Sequence, residues 1–219
     1  NDLKNSIING HFEPLFQPKI DLLTGEPCGC ELLLRWHHPH LGLIYPDKFI
    51  PLAERENLIG ELTSWTISNY LHMFSDLVTV DKIFQVSINV SPVDLVGNVL
   101  LTSITKTLEK SRFPEGNLCI EVTENAIMKN PIRSAEILDM FHDSGIMVSI
   151  DDFGTGYSSL AYLQKFPISE LKIDKSFITD LVENSPNYSI VNATITMAHD
   201  LGITVEAEGV ADKSVLVSL

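Results

Sequence analysis

The chain has 219 residues, and 44% of them are hydrophobic, which is enough to bury a core and argues against disorder. The formal net charge of −14 excludes a broad basic surface for a DNA or RNA polymer. No apolar run reaches the roughly 18 residues that a membrane-spanning helix requires.

The N-terminal residues and the cysteines indicate where the protein functions. Residues 1–10 lack the basic and apolar regions of a signal peptide, and the absent initiator Met indicates a segment of a longer protein. Cys28, Cys30 and Cys119 are odd in number, which favours reduced thiols over a disulfide framework. We therefore expect a cytoplasmic protein, or the cytoplasmic domain of a membrane protein.

Strand-like and helix-like stretches alternate along the chain. The predicted strands are Phe12–Ile20, Gly29–Trp36, Phe84–Val90, Leu118–Val122, Met147–Asp151, Glu170–Ile173 and Ile203–Ala207. The predicted helices are Pro46–Glu54, Ile59–Phe74, Val99–Glu109, Ile132–Ser144, Ser158–Lys165 and Ser189–Asp200. Strands separated by helices indicate parallel β-α-β units. The pattern therefore predicts an α/β barrel or a wide open sheet, within a single domain that covers residues 1–219.

Polar residues recur where the predicted strands end. The strand-end residues are Asn89, Glu121, Asp151, Asp174 and Glu208, and Glu31 lies inside an otherwise apolar strand. A carboxylate buried in a strand without a partner is strongly unfavourable, so isolated cases are rare. The repetition therefore indicates a shared site rather than a series of accidents.

In a (β/α)8 barrel, residues at the carboxyl ends of different strands converge on one site. We expect such a site to contain Glu31, Asn89, Glu121, Asp151 and Asp152. Carboxylate and amide oxygens favour Mg²⁺, Mn²⁺ or Ca²⁺ over zinc. The sequence thus predicts a hard-cation site at the strand ends.

Six stretches carry a family resemblance, and they occur in the family's order. They read FQPKIDLLTGEPCGCELLLRWHHPHLGLIYPDKFIPLAE, VSINVSP, IEVTENAI, SIDDFGTGYSSLAYL, LKIDKSFI and VEAEGV. From about Phe12 to Val210 the chain resembles the EAL-type cyclic di-GMP phosphodiesterase domain. The resemblance implies a modified TIM (β/α)8 barrel with one antiparallel strand. It also implies hydrolysis of one phosphodiester bond of cyclic di-GMP to linear pGpG, with one or two Mg²⁺ or Mn²⁺ ions.

The resemblance also implies a role for individual residues. The implied metal ligands are Glu31, Asn89, Glu121 and Asp151, with Asp152 reaching a second metal and Asp174 supporting that second site. Lys172 is expected to hold the attacking water or a phosphate oxygen, and Glu208 to act as a metal ligand or base. Glu124 is expected to steady the loop Asp152–Ser159. Arg35 and Gln17 match positions that contact the substrate.

Two substitutions and one missing segment depart from the family pattern. Leu32 stands where the family usually has alanine, and it is expected to point away from Glu31 into the packing between barrel and helices. Ala211 replaces the usual second glutamate, with Asp212 next to it. The chain also stops at Leu219, before the family's final strand and its Gln-Gly-Tyr segment. We expect this truncation to impair substrate binding.

The sequence also leaves three alternatives to this hydrolase. The segment Gly154–Tyr157 follows a strand, but it lacks the third glycine of a dinucleotide-binding loop. A catalytically silent EAL-type domain would bind cyclic di-GMP or a protein partner as a sensor, and an unrelated TIM-barrel hydrolase would cleave another phosphodiester. EAL-type modules commonly dimerise and are attached to sensory or membrane-bound regions, so a homodimer and such an attachment are also expected.

Overall fold

The structure is a computed structural model that describes residues 2–74, 84–95, 99–111, 113–156, 160–179 and 181–218. The chain forms two compact units. The first contains Asn1–Ile120 and Asp143–Ile146, and the second contains Glu121–His142 and Met147–Leu219. Among the described residues, no helix combines the length and the apolar character that crossing a membrane requires. The prediction that residues 1–219 form a single domain stays a prediction.

The first unit begins with a helix and a long hairpin. Its elements are α1 (Asp2–Asn9), β1 (Phe12–Ile20), β2 (Pro27–His38), β3 (Gly42–Ile44), α2 (Pro46–Arg55), α3 (Ile59–Tyr70), β4 (Gln85–Asn89) and α4 (Val99–Ser111). Two 3-10 helices, Leu71–Phe74 and Glu115–Asn117, follow α3 and α4. Strand β5 (Leu118–Thr123) begins in this unit and ends in the second.

The β1–β2 hairpin turns at Asp21, whose Oδ1 accepts hydrogen bonds from the backbone N–H groups of Leu23 and Thr24. Such a side-chain-capped turn is typical of aspartate. Strand β1 pairs antiparallel with β2, and β2 pairs parallel with β4. A Cβ at Gly29 would lie 2.5 Å from the Gln85 carbonyl oxygen, so glycine allows β2 and β4 to approach closely.

Aromatic rings fill the core of the first unit. The Phe12 ring stacks on Trp36 at 5.7 Å and meets Phe49 edge-on at 5.5 Å. All three side chains are buried, and Leu62 of α3 closes the same cluster. This core fixes the beginning of β1 and the end of β2 against α2 and α3.

The second unit alternates helices with parallel strands. After β5 it contains α5 (Glu124–Met128), α6 (Pro131–Asp143), β6 (Met147–Phe153), α7 (Leu160–Leu163), β7 (Glu170–Ile173), α8 (Lys175–Ile178), α9 (Pro186–Asp200), β8 (Thr204–Ala207) and α10 (Lys213–Ser218). Strand β6 pairs parallel with β7, and β7 pairs parallel with β8. Helix α9 begins where its sequence signals indicate, because the Ser185 hydroxyl accepts from Tyr188 N and Pro186 occupies the first turn.

All seven predicted strands are present, with ends that differ by at most two residues from the predicted bounds. The three-residue strand β3 was not predicted, and it gives β2 a second antiparallel partner beside β1. The predicted helix Ile59–Phe74 changes to 3-10 geometry at Leu71. Within the predicted helix Ser158–Lys165, Leu160–Leu163 is α-helical and residues 164 and 165 are not, while residues 158 and 159 lie outside the described residues.

Candidate active site

The buried ammonium of Lys172 is the centre of the acidic cluster in the second unit. Lys172 lies on β7 and its side chain is only 1% exposed. Its Nζ lies 2.8 Å from Glu121 Oε2 and 2.7 Å from Glu208 Oε1. The Asp151 carboxylate lies 3.2 Å away. A buried lysine needs such partners to keep its charge, so the three carboxylates and the ammonium stabilise one another.

Alternation along parallel strands explains how these groups meet. Lys172 pairs in register with Glu206 of β8, and Glu208 follows two residues later on the same face. The Glu208 N–H donates to the Ile173 carbonyl at 3.2 Å, which extends the pairing of the two strands to the residue that contacts Lys172. The predicted residues Glu121, Asp151, Lys172 and Glu208 are thus brought together within this unit.

Asp152 adopts an uncommon backbone conformation, with φ of 54°. Its N–H donates to its neighbour's side chain, Asp151 Oδ1, at 2.9 Å. Burial, and then the negative charges of Asp151, Asp174 and Glu208, raise the pKa of Asp152 to about 6, although Lys172 opposes the shift. The effect of the three neighbouring carboxylates on the pKa of Asp152 is therefore larger than the opposite effect of the Lys172 ammonium.

Asp174 lies at the start of α8, where its Oδ1 accepts from Ser176 N at 2.9 Å. Hydrogen bonding from the Ser176 side chain, and then from its backbone N–H, lowers the pKa of Asp174. A hydrogen bond with the Asp152 carboxyl acts in the same direction. The two aspartates are therefore neighbours in the site. Asp152 has the higher pKa and binds a proton more readily, whereas Asp174 has the lower pKa and stays ionised more readily.

Two groups of three carboxylates have the spacing that a cation requires. One oxygen each from Asp151, Asp152 and Glu208 lies within 4.8 Å of the others. The same holds for a deeper group, Glu121, Glu170 and Glu206. A set of oxygen donors only fits a hard divalent cation such as Mg²⁺ or Mn²⁺.

Glu170 and Glu206 belong to this acidic cluster, although neither was predicted from the sequence as a site residue. Each stands two residues before a predicted site residue on its strand, Lys172 and Glu208 respectively, so strand alternation places them on the same face. That spacing was the available signal.

Glu124 lies directly against the glycine-rich loop. It follows β5 and is 4% exposed, and its Oε2 accepts a hydrogen bond from Gly154 N at 3.1 Å. Gly154 has φ of +95°, and a Cβ there would lie 2.9 Å from the Phe177 ring. A Cβ at Gly156 would lie 2.9 Å from Glu124 Oε1. Residues 157–159 of the predicted loop lie outside the described residues.

In the first unit, two predicted ligands form a pair. Asn89 Nδ2 donates to Glu31 Oε1 at 2.5 Å. Gln17 stands opposite Glu31 in the β1–β2 ladder. Arg35 donates to the Leu34 carbonyl at 2.9 Å, and its guanidinium lies over the Tyr45 ring at 5.3 Å.

The two departures from the family pattern have different surroundings. Leu32 is 4% exposed and belongs to the hydrophobic core, as expected for a residue that points away from Glu31. Ala211 and Asp212 are exposed, and the Asp212 carbonyl accepts from Leu216 N at 3.1 Å. The larger side chain at position 32 is therefore accommodated by packing.

Comparison with known proteins gives a consistent result. The family model described as EAL domain matches residues 1–219. The bifunctional diguanylate cyclase/cyclic di-GMP phosphodiesterase MucR of Pseudomonas aeruginosa is 36% identical over 213 residues, which cover 96% of this chain and 31% of MucR. The cyclic di-GMP phosphodiesterase NbdA of the same organism is 36% identical over 210 residues, or 95% of this chain and 27% of NbdA. The chain thus spans about a third or less of the length of these relatives.

A solved structure described as the PaMucR phosphodiesterase in complex with c-di-GMP matches with a TM-score of 0.91 and 35% identity. The match covers 100% of this chain and 89% of that one. The predicted α/β fold class, related to the TIM barrel, is thereby confirmed.

Proposed function

Because the chain belongs to the EAL domain family, we propose that it is a metal-dependent phosphodiesterase that hydrolyses one phosphodiester bond of cyclic di-GMP to linear pGpG. The observation that carries the proposal is the buried Lys172 ammonium among the carboxylates of Glu121, Asp151 and Glu208. This arrangement combines a fixed positive charge with several oxygen donors. Such a combination suits the transfer of a charged phosphoryl group to water.

The substrate assignment is supported by the relatives, since MucR and NbdA both carry cyclic di-GMP phosphodiesterase in their descriptions. Charge supports it as well. A protein with a net charge of −14 repels a phosphodiester, so binding requires positive charge at the site itself. Lys172 and a divalent cation would supply that charge, and Arg35 and Gln17 are proposed to contact the substrate.

The residues proposed to hold Mg²⁺ or Mn²⁺ are Glu31 and Asn89 of the first unit and Glu121, Asp151, Asp152 and Asp174 of the second. A bound ion of this kind makes water more acidic and neutralises charge on the phosphodiester. The spacing of the Asp151, Asp152 and Glu208 oxygens fits such an ion, because they lie within 4.8 Å of one another. Either metal would be accepted by this donor set.

The chain's own side chains have separate tasks in the proposal. Lys172 donates a hydrogen bond to the attacking water or to a phosphate oxygen, and its burial keeps the charge from being screened by solvent. Glu208 is 25% exposed and is therefore able to exchange a proton with solvent, which suits a general base. Glu124 holds the glycine-rich loop through Gly154 N.

We further propose that the domain is cytoplasmic and belongs to a longer signalling protein. The three cysteines are free thiols, which fits a reducing compartment. The relatives are far longer than this chain, which is consistent with attachment to a sensory or membrane-bound region. A homodimer is proposed on the family pattern alone.

The test is an assay of pGpG formation by the purified domain from cyclic di-GMP with Mg²⁺ or Mn²⁺. We expect turnover that needs the metal and that falls by about a hundredfold or more in Glu31→Ala and Lys172→Ala. Glu109→Ala and Lys106→Ala are the matched controls, since both residues are exposed on α4, and they should retain the wild-type rate. Tight binding of cyclic di-GMP without turnover would instead establish a sensor. Cleavage of another phosphodiester, with neither binding nor cleavage of cyclic di-GMP, would establish a different hydrolase.

A further inference from the structure

The turn that follows β4 is held from two sides by side chains of the neighbouring helices. Ser91, two residues after Asn89, donates its hydroxyl hydrogen bond to Glu54 Oε1 of α2 at 2.5 Å. Asp94 accepts a hydrogen bond from the Thr63 hydroxyl of α3 at 3.0 Å. Asn89 therefore stands at the start of a turn whose geometry is fixed by hydrogen bonds from outside the strand.

The Ser91 hydroxyl oxygen has two roles in this turn. While it donates to Glu54, it also accepts from the backbone N–H of Val93 at 3.1 Å. The Ser91 carbonyl accepts from Asp94 N at 2.9 Å. Since Ser91 is buried and Glu54 is half-buried, the bond between them is shielded from water and has a defined geometry.

Asn89, the last residue of β4 before this turn, is the residue that contacts Glu31. Asn89 Nδ2 donates to Glu31 Oε1, and the Asn89 side chain itself is exposed. An exposed amide has few packing contacts to hold its direction, so its orientation depends on the backbone that carries it. That backbone is anchored two residues later, where Ser91 binds Glu54.

We propose that Glu54 is a positioning residue that orients Asn89 toward Glu31 through Ser91. The inference rests on the proposed function in so far as Glu31 and Asn89 are metal ligands there. Glu54 itself contacts neither the substrate nor the metal in this proposal. Its carboxylate acts as a charged acceptor, which makes the bond to the Ser91 hydroxyl stronger than one between neutral groups.

The experiment compares Glu54→Ala, Glu54→Gln and Ser91→Ala in the whole 219-residue chain. Glutamine retains an oxygen that can accept from Ser91, whereas the two alanine variants remove one side of the bond. Glu56→Ala is the matched control, because it removes an equal charge two residues away at an exposed position. The first readout is the side-chain amide signal of Asn89 in the metal-free, Asn-labelled protein, assigned with Asn89→Ser.

The second readout is Mn²⁺ affinity by calorimetry, together with the urea midpoint of each variant. In Glu54→Ala and Ser91→Ala, the Asn89 signal is expected to move or broaden, and Mn²⁺ affinity to fall about tenfold. Glu54→Gln should restore both, and Glu56→Ala should change neither. A role in stability alone would lower the urea midpoint without moving the Asn89 signal.

An unmoved Asn89 signal in Ser91→Ala would overturn the positioning role, even if the domain cleaves cyclic di-GMP. A wild-type protein that neither binds Mn²⁺ nor cleaves the nucleotide would overturn the proposed function instead. The Asn89 signal, measured without metal, would still decide the positioning role. If Glu54→Ala fails to fold, Ser91→Ala gives the same decision, since it removes the bond with a smaller change in volume, and Glu54→Gln remains the variant that keeps the acceptor.

Discussion

The Lys172 ammonium lies 2.8 Å from Glu121 Oε2 in surroundings where the two side chains are only 1% and 0% exposed. Burial removes water from both charged groups, and the attraction between them only offsets that loss. The net contribution of such a pair to stability can therefore be small. Removal of Lys172 is different, because the Glu121 carboxylate then stays buried without its ammonium partner. Lys172 without Glu121 would still have the carboxylates of Asp151 and Glu208 beside it, so stability depends more strongly on the lysine than on the glutamate.

Substitution of Lys172 by methionine is expected to lower the free energy of unfolding by about 3–5 kcal/mol, since Glu121 is left buried without its ammonium partner. Urea denaturation followed by circular dichroism measures the change. The double variant Lys172→Met with Glu121→Gln should be less destabilised than the sum of the single variants. Lys106→Met, at an exposed position on α4, is the control and should lie within about 0.5 kcal/mol of wild type. Additive effects in the double variant would contradict a direct coupling.

Removal of divalent metal should lower the stability of the domain. Metal that binds only the folded chain stabilises it by about 2.7 kcal/mol at a hundredfold excess over the dissociation constant. We expect Mn²⁺ to raise the melting temperature of the chelator-treated wild type. Asp151→Asn should lose most of this gain, because the Asp151 carboxylate belongs to the group of three that also contains Asp152 and Glu208. Glu109→Gln is the control for the lost charge, and an equal gain in Asp151→Asn would argue against ligation there.

Gly154 and Gly202 form a natural comparison in the second unit. Both have positive φ, +95° and +74°, but a Cβ would meet the Phe177 ring at 2.9 Å only in Gly154. At Gly202, apart from the glycine itself and its two chain neighbours, the described part of the chain has no heavy atom within 4 Å of the added Cβ. Gly202→Ala should therefore cost about 1–2 kcal/mol from backbone strain alone. Gly154→Ala should cost more, and it should also lower activity by displacing the loop that Glu124 holds.

Equal losses in the two alanine variants, measured by urea denaturation, would show that the Phe177 contact is unimportant. The variant Phe177→Leu separates the two terms further. Leucine is expected to relieve the clash at Gly154→Ala without affecting Gly202→Ala.

The sequence was sufficient to predict the strands because each is a short apolar run bounded by turn residues. It was insufficient for β3 (Gly42–Ile44), since three residues carry too little periodicity to be recognised. The five-residue α5 and the four-residue α8 were missed for the same reason. Strand ends carried the acidic site residues, and this pattern survives in the structure as the group around Lys172.

Other parts of the site depend on three-dimensional pairing that no local pattern reveals. Every residue of β7 is buried, so the burial of Glu170 does not by itself mark it as a site residue, and only its spacing from Lys172 does. The Glu54–Ser91 bond joins a helix to a turn across 37 residues of sequence, and neither residue stands out in its own segment. Such contacts follow from the packing of elements rather than from their individual propensities.

Asp94 gives a prediction about pH. Burial raises its pKa above the ordinary value of 3.8, and the nearby Glu54 charge acts in the same direction, while hydrogen bonds from Thr63 and Ser91 oppose the shift. The folded state therefore holds this proton more tightly than the unfolded state does. The stabilisation linked to the proton is complete below pH 3.8 and is lost as the pH rises through the raised pKa.

The variant Asp94→Asn removes this dependence, since the asparagine carbonyl can accept from the Thr63 hydroxyl without ionising. Relative to wild type, the variant should gain stability as the pH rises from about 4 to about 7. Urea denaturation of both proteins across that range measures the difference. Asp139→Asn removes an equal charge from an exposed position on α6 and separates the effect of burial from that of net charge. If the free energy of unfolding of Asp94→Asn minus that of wild type stays constant or falls as the pH rises, the raised pKa is contradicted. A growing difference would show that burial beside Glu54 makes the ionised Asp94 unfavourable.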